Sequence, residues 1–301
     1  MPTFRIISFD GGGIKGALST RILKRLYSEN KDLIQKTNLF AGTSTGALIS
    51  LALASGISVE EIDNMYCFDN LKTIFSKRHF NLFRPKFKND DLKELIINTL
   101  PKDATLKDLK KLVFIPAFHL KGVTRNHWQG VFFNNINNTF NHKLVDVALA
   151  SSAAPTYFPS HNDFIDGGII TNSPSIASII TVIHELPNKY KLNDFKVLSI
   201  GTGETPRKIS SNTSKWGIFQ WSIRPFSSVK LPLTSVLLND TLPLEDLYAK
   251  ELLKNNFKRI NPIIPFNVEI DDYTKVNELK DIANKMDLTE TNDFINNIFL
   301  K

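Results

Sequence analysis

Apolar residues in the first half of the chain follow two alternating rhythms. Phe4 to Phe9 (FRIISF) is a short, nearly continuous apolar run, as a strand buried on both faces requires. After Asp10 and a glycine cluster, Leu18, Ile22 and Leu26 recur at helical spacing with Arg21, Lys24 and Arg25 between them, which predicts an amphipathic helix. A second unit follows at once: a strand at Leu39 to Ala41, the turn GTSTG (Gly42 to Gly46), and ALISLALAS, apolar all round and so a buried helix that Gly56 is placed to stop. SVEE (Ser58 to Glu61) is a capping box that opens another helix.

Further strands are predicted at Leu112 to Phe118, Val131 to Phe133 and Lys196 to Ile200, with helical stretches between them. One of these, Lys143 to Ala154, must end near Pro155. Strands alternating with helices imply a three-layer α/β fold, a mainly parallel central sheet with helices on both faces. Residues 211–301 lose the strand rhythm and end in two helix-like stretches, around Lys275 to Met286 and Thr291 to Leu300. No Gly- or Ser-rich linker sets them apart. The expectation is therefore one domain over 1–301, with a catalytic core of about 1–210 and a helical C-terminal appendage of about 211–301.

Composition narrows the class. In 301 residues, 42% apolar and 22% charged with 14 Gly and 14 Pro describe an ordinary globular chain and exclude disorder, collagen and coiled coil. A lone cysteine, Cys67, excludes an internal disulfide scaffold, and no close Cys/His spacing suits zinc. The longest apolar runs, Ala47 to Ile57 and Ile176 to Ile183, fall short of the roughly 18 residues a membrane span needs. Asp10 stands where a signal peptide would need its apolar core. The expected location is cytoplasmic or peripheral to a membrane; export without a signal peptide, as an effector, would leave the same sequence.

The net charge is +7, and between Lys72 and Lys111 there are 11 Lys or Arg against 5 Asp or Glu. Within this stretch, Phe75 to Lys88 combines Lys77, Arg78, Arg84, Lys86 and Lys88 with four phenylalanines and no acid. Cations interleaved with aromatics suit an anionic bilayer or single-stranded nucleic acid, and equally a solvated loop whose phenylalanines turn inward. A second aromatic segment, Lys215 to Phe226, carries Trp216 and Trp221, which could sit at headgroup depth.

Three motifs carry chemistry. DGGGIKG (Asp10 to Gly16), between a strand and a helix, presents backbone N–H groups with no side chains in the way, which suits an anion. Gly11, Gly13 and Gly16 also satisfy the dinucleotide pattern GxGxxG, with Glu29 or Asp32 as its acidic residue. GTSTG matches GxSxG on a strand-to-helix turn, which holds a serine, Ser44, with its hydroxyl exposed. A Ser-His-Asp triad is available on paper, but Ser44 comes only one strand-helix unit after the first strand, and none of His79, His119, His127, His142, His161 and His184 stands in a context that suits one. The better partner is Asp166 in FIDGGI, where two glycines again shape the backbone to present one short side chain.

DGGGIKG, GTSTG and DGG in this order, with ALASSAAPTYFPS (Ala148 to Ser160), NSPS (Asn172 to Ser175) and SIGTG (Ser199 to Gly203), resemble the patatin-like phospholipase family. The resemblance covers the first two thirds of the chain in detail. It implies a Ser-Asp dyad with no histidine, in which Ser44 is the nucleophile, Asp166 takes its proton, and Gly11, Gly12 and Gly13 carry the oxyanion hole. It further implies a lipid acyl hydrolase of the phospholipase A or lysophospholipase type; no cofactor and no metal are expected, and calcium should be dispensable because the sequence has no EF-hand-like acidic loop. Its partners would be a phospholipid membrane surface and, as in some members, a protein activator, with no nucleic acid. Lys15 stands where the family usually has Arg, so a cation is kept while bidentate contact is lost. The competing readings are a dinucleotide-dependent oxidoreductase and a dormant lipid-surface effector.

Overall fold

The computed structural model describes residues 3–79, 83–122, 126–137, 141–205, 209–224, 229, 231–239 and 242–301. Strand β1 (Phe4–Phe9) runs through the glycine loop into α1 (Gly16–Glu29) and the single turn α2 (Leu33–Lys36). Strand β2 (Leu39–Gly42) feeds α3 (Thr45–Ala54), all ten of whose residues are buried. Helices α4 (Val59–Met65), α5 (Phe68–Ser76) and α6 (Asp90–Thr99) precede β3 (Leu112–His119) and β4 (Gln129–Asn134). Ser58 and Glu61 close the expected capping box at the start of α4. Helix α7 (Leu144–Ser151) ends four residues before Pro155, and β5 (Phe164–Asp166), α8 (Ser175–Glu185) and β6 (Phe195–Ile200) follow. The C-terminal part holds α9 (Ile218–Ser222), α10 (Pro232–Asn239), α11 (Leu242–Leu253), β7 (Phe257–Ile260), α12 (Val276–Lys285) and α13 (Thr289–Phe294).

The sheet order is β4-β3-β2-β1-β6-β7, with β5 also paired to β3. Its four central pairings are parallel; β4 and β5 run antiparallel to β3. Alternation along the strands sends side chains to two cores. Ile7, Phe9 and Phe40 join one with α1, α3, α7 and α12, while Phe4, Ile6, Leu39 and Ala41 join another with α8 and α11. The three layers expected from the sequence are thus present.

Strand β7 was not expected. Of its four residues only Phe257 and Ile260 are buried, so it offers no apolar run, yet it extends the sheet beyond β6 in parallel register. The basic Phe75 to Lys88 loop is divided between surface and interior. In Phe75 to Lys88, Phe87 is buried beside Phe75 and Phe158, and Lys86 forms an ion pair with Asp271. The backbone of Lys86 and Phe87 donates to the carbonyls of Thr156 and Tyr157, which bolts the loop down; Lys77, Arg78, Phe83, Arg84 and Lys88 face solvent. Residues 80–82 and the end of the second aromatic segment, Pro225 and Phe226, lie outside the described residues.

Candidate active site

Parallel register places the two chemistry-bearing turns side by side. Phe9 of β1 pairs with Gly42 of β2 on one side and Ile200 of β6 on the other, so three strands end level and the glycine loop, the GTSTG turn and the SIGTG loop leave the sheet together. The chain winds from β1 outward to β4 and returns to β6 on the other side of β1, so the site lies at the carboxyl ends near the switch in winding direction.

Asp166 arrives by a different route. Strand β2 pairs with Leu112 to Phe114 of β3, and three residues further along the same edge Ala117 to His119 pair with β5. The last residue of β5, Asp166, thereby stands just past the end of β2, where the Ser44 turn begins.

Ser44 has φ 55° and ψ −117°, a conformation a residue with a Cβ seldom adopts. Its surroundings enforce this. A Cβ on Gly46 would come within 2.3 Å of the Phe9 carbonyl oxygen, so only glycine lets α3 start this close to β1. The Ser44 amide donates to Ser151 Oγ at 3.0 Å, and Ser151 Oγ donates to the Pro116 carbonyl at 2.7 Å, tying the turn to α7 and β3. Ser151 lies in the ALASSAAPTYFPS stretch, where nothing local marked it for this task.

The Ser44 hydroxyl adjoins the Asp166 carboxylate in one cavity, and Asp166 Oδ1 accepts the Gly168 amide at 2.7 Å. Asp166 is almost completely buried. Desolvation pushes its pKa from 3.8 up to about 6, against the opposing pull of the Gly168 amide and the neighbouring Ser44 hydroxyl.

The three loop glycines differ. Gly11 donates its amide to the Asn172 carbonyl at 3.1 Å, so it is spent inside the protein, and the expectation that all three glycines serve an anion narrows to two. The Gly12 and Gly13 amides have no acceptor among the described residues, and both glycines line the same cavity as Ser44 and Asp166. Gly13 has φ +59°, and the Ile270 carbonyl, which accepts the Ile14 amide at 2.9 Å, would lie 2.1 Å from any Cβ there. The loop is further held by Thr202, whose hydroxyl donates to the Gly11 carbonyl at 2.9 Å.

Beneath the loop lies a charge cluster that sequence reading did not anticipate. Asp10, fully buried, receives both Nη atoms of Arg259, at 2.8 and 2.5 Å, and Arg259 Nε donates to Asp246 at 3.0 Å. Arg259 comes from β7 and Asp246 from α11. Beside Asp246 on α11, Glu245 accepts the Ser173 amide at 2.7 Å; burial lifts its pKa from 4.5 to about 7.

The cavity, about 70 Å³, is polar at one end and apolar along its length. Gly12, Gly13, Ser44, Asp166 and Asn172 form the polar end, and α3 to α6 supply walls such as Leu48, Leu71, Ile74 and Leu95. No histidine is among the described residues that line it. His161 instead pairs with Asp146 at 2.8 Å, and His79 bonds the Pro85 carbonyl at 3.1 Å. The acidic residues of the dinucleotide reading are misplaced as well: Glu29 and Asp32 lie at and beyond the far end of the 14-residue α1, roughly 20 Å from the glycine loop.

The patatin-like phospholipase family model matches residues 7–177. The chain belongs to the patatin-like phospholipase family. The matched span runs from β1 into α8 and includes Ser44, Asp166 and the glycine loop. Among the relatives of this chain, protein teg of Priestia megaterium is 35% identical over 98% of both chains. A putative sporulation hydrolase, CotR of Bacillus subtilis, is 33% identical, again over 98% of each. A cGAMP-activated phospholipase of Escherichia coli is 30% identical over 88% of this chain and 81% of its own. The protein is accordingly a lipid hydrolase by family. Among the described residues no helix is long and apolar enough to cross a membrane.

Proposed function

We propose that the protein cleaves carboxylic esters of glycerophospholipids or lysophospholipids through an acyl-serine on Ser44, with Asp166 as the proton carrier. The observation that carries this reading is the Ser44 hydroxyl set beside a buried carboxylate at the polar end of an apolar cavity. Ser44 Oγ attacks the ester carbonyl carbon while its proton passes to Asp166, and the Gly12 and Gly13 amides stabilise the oxyanion. The intermediate collapses with cleavage of the C–O bond, and the leaving alcohol takes the proton from Asp166. Water then attacks the acyl-serine, Asp166 takes its proton, and the proton returns to Ser44 Oγ as fatty acid leaves. An aspartate of ordinary pKa is a feeble base for a serine hydroxyl; one raised to about 6 is better matched to the task.

Ser44→Ala and Asp166→Ala should each lower fatty-acid release from phospholipid vesicles by about 10³-fold or more, and the double variant should be scarcely worse, since the pair acts as one unit. Near wild-type turnover in either single variant would end this mechanism. The Escherichia coli relative is named for activation by cGAMP. The assay is therefore run with and without cell extract, and extract-dependent release would show that an activator opens the site.

A further inference from the structure

Exposed apolar surface is concentrated in one part of the molecule. Of the sixteen large apolar side chains exposed among the described residues, ten lie between Ile218 and Leu252. The most prominent are Ile218 and Phe219, 83% and 86% exposed, at the tip of α9, with Leu233 and Leu237 on α10 behind them. This surface is built, not frayed. Trp216 packs edge-to-face on Trp221 with ring centroids 5.1 Å apart, the Arg224 guanidinium lies 4.5 Å over the Trp216 ring, and Arg224 donates to Ser211 Oγ at 2.8 Å. Leu231, just before α10, packs against the main core.

Position and charge identify the occupant. Helix α9 packs on α10, and α10 packs against Gly167–Ile169, the turn that directly follows Asp166. Among the described residues from Thr205 to Asn239, Lys215 and Arg224 are basic and none is acidic. Apolar tips between tryptophans and cations fit the interface of an anionic bilayer. A protein partner would not require this one-sided charge, and α11, with three acids (Glu245, Asp246, Glu251) to one lysine (Lys250), lacks it. The Phe75 to Lys88 loop is the weaker candidate, because Lys86 and Phe87 are turned inward.

We propose that α9 and α10 form the face on which the protein lies against an anionic membrane, with Ile218 and Phe219 of α9 seated below the headgroups and α10 against the turn that follows Asp166. This deepens the lipid-hydrolase reading and rests on it for the substrate, while the docking itself is measurable without catalysis. Binding is measured by co-sedimentation of the Ser44→Ala protein with vesicles of phosphatidylglycerol and phosphatidylcholine, or of phosphatidylcholine alone, so that lipid is not consumed. Adding Ile218→Ser and Phe219→Ser should weaken binding to the anionic vesicles by about tenfold or more. With Ser44 intact, the same pair should leave hydrolysis of a soluble short-chain ester within about twofold, since neither residue lines the cavity. Leu233→Ser with Leu237→Ser serves as a second, independent pair, and Lys77, Arg78, Arg84 and Lys88 changed together to Gln should have the smaller effect. The proposal is overturned if no vesicle binding occurs, if both apolar pairs bind as the parent does, or if the loop changes alone abolish binding. It is equally overturned if sedimentation equilibrium shows a dimer that the Ile218/Phe219 pair converts to monomer, which would make the face a contact between copies. Absence of ester hydrolysis would instead remove the lipid-hydrolase reading and leave the binding result to stand by itself.

Discussion

Asp166 shows how function sets a cost at a single residue. Its folded-state pKa, about 6, lies above the ordinary 3.8, so the folded protein holds the proton more tightly than the unfolded chain. The contribution of Asp166 to stability is then most favourable below pH 3.8, falls as pH rises through the window between the two values, and levels off above pH 6, about 3 kcal/mol lower at most. Asp166→Asn keeps the shape and an acceptor for the Gly168 amide but has no charge to desolvate. It should be inactive and yet more stable than the parent at pH 8, by up to about 3 kcal/mol in urea melts, with the difference shrinking toward pH 4. Equal stability at pH 8 would show that Asp166 is not a desolvated carboxylate. The same titration predicts an acid limb near pH 6 in kcat/KM for the free enzyme, because only the ionised carboxylate can accept the Ser44 proton.

At the scale of elements, α5 and α6 have one visible task at the site, the far wall of the cavity, through Leu71, Ile74, Phe75, Leu92 and Leu95. Leu95 is only partly buried, so it can be enlarged without overpacking the core that holds Leu92 and Ile96. Leu95→Trp should therefore shorten the preferred acyl chain. A drop of about tenfold in kcat/KM for long-chain esters, with short-chain esters within about threefold, is the expected pattern in a chain-length series. A uniform loss across chain lengths would mean that the acyl group lies elsewhere. The Ser44 turn, by contrast, is held by elements that do not touch substrate: Ser151 of α7 grips its amide, and Gly46 of α3 abuts Phe9 of β1.

Across the whole molecule, the last third is joined to the first by buried charge. Asp63 of α4 is 1% exposed and meets Arg21 of α1 at 2.8 Å and Lys280 of α12 at 3.1 Å; burial alone would raise its carboxyl, but these cations outweigh that and hold it below the ordinary value. Arg25 of α1 donates to the carbonyls of Ala283 and Met286, the orphan acceptors at the end of α12. Arg259 neutralises Asp10 under the glycine loop. A fragment ending near residue 210 would lose all three partners and leave Asp10 buried and unpaired, a loss of the kind that costs several kcal/mol. Residues 1–210 alone should therefore show no cooperative thermal unfolding by circular dichroism and no esterase activity. A soluble, cooperatively melting fragment would establish the C-terminal part as separable.

Local pattern by itself determined much of this protein. Strands β1, β2, β3, β4 and β6 and helices α1, α3 and α4 were legible because each carries its own period and its own caps, and those depend on neighbours a few residues away. Ser44, Asp166 and the glycine loop were legible because presenting a short side chain on a tight turn needs glycines beside it. Tertiary structure alone decided which turns meet. Asp166 reaches Ser44 because β5 takes over the β3 edge where β2 stops, and no feature of FIDGGI records that pairing. The engagement of Gly11 by Asn172, of Ser44 by Ser151 and of Asp10 by Arg259 spans 161, 107 and 249 residues, respectively. Such contacts leave no local period, because a buried polar group needs only some partner, and the fold chooses which. The inward turn of Lys86 and Phe87 and the outward tip at Ile218 and Phe219 have the same origin: both segments read as basic and aromatic, and packing against distant chain decides which surface each presents.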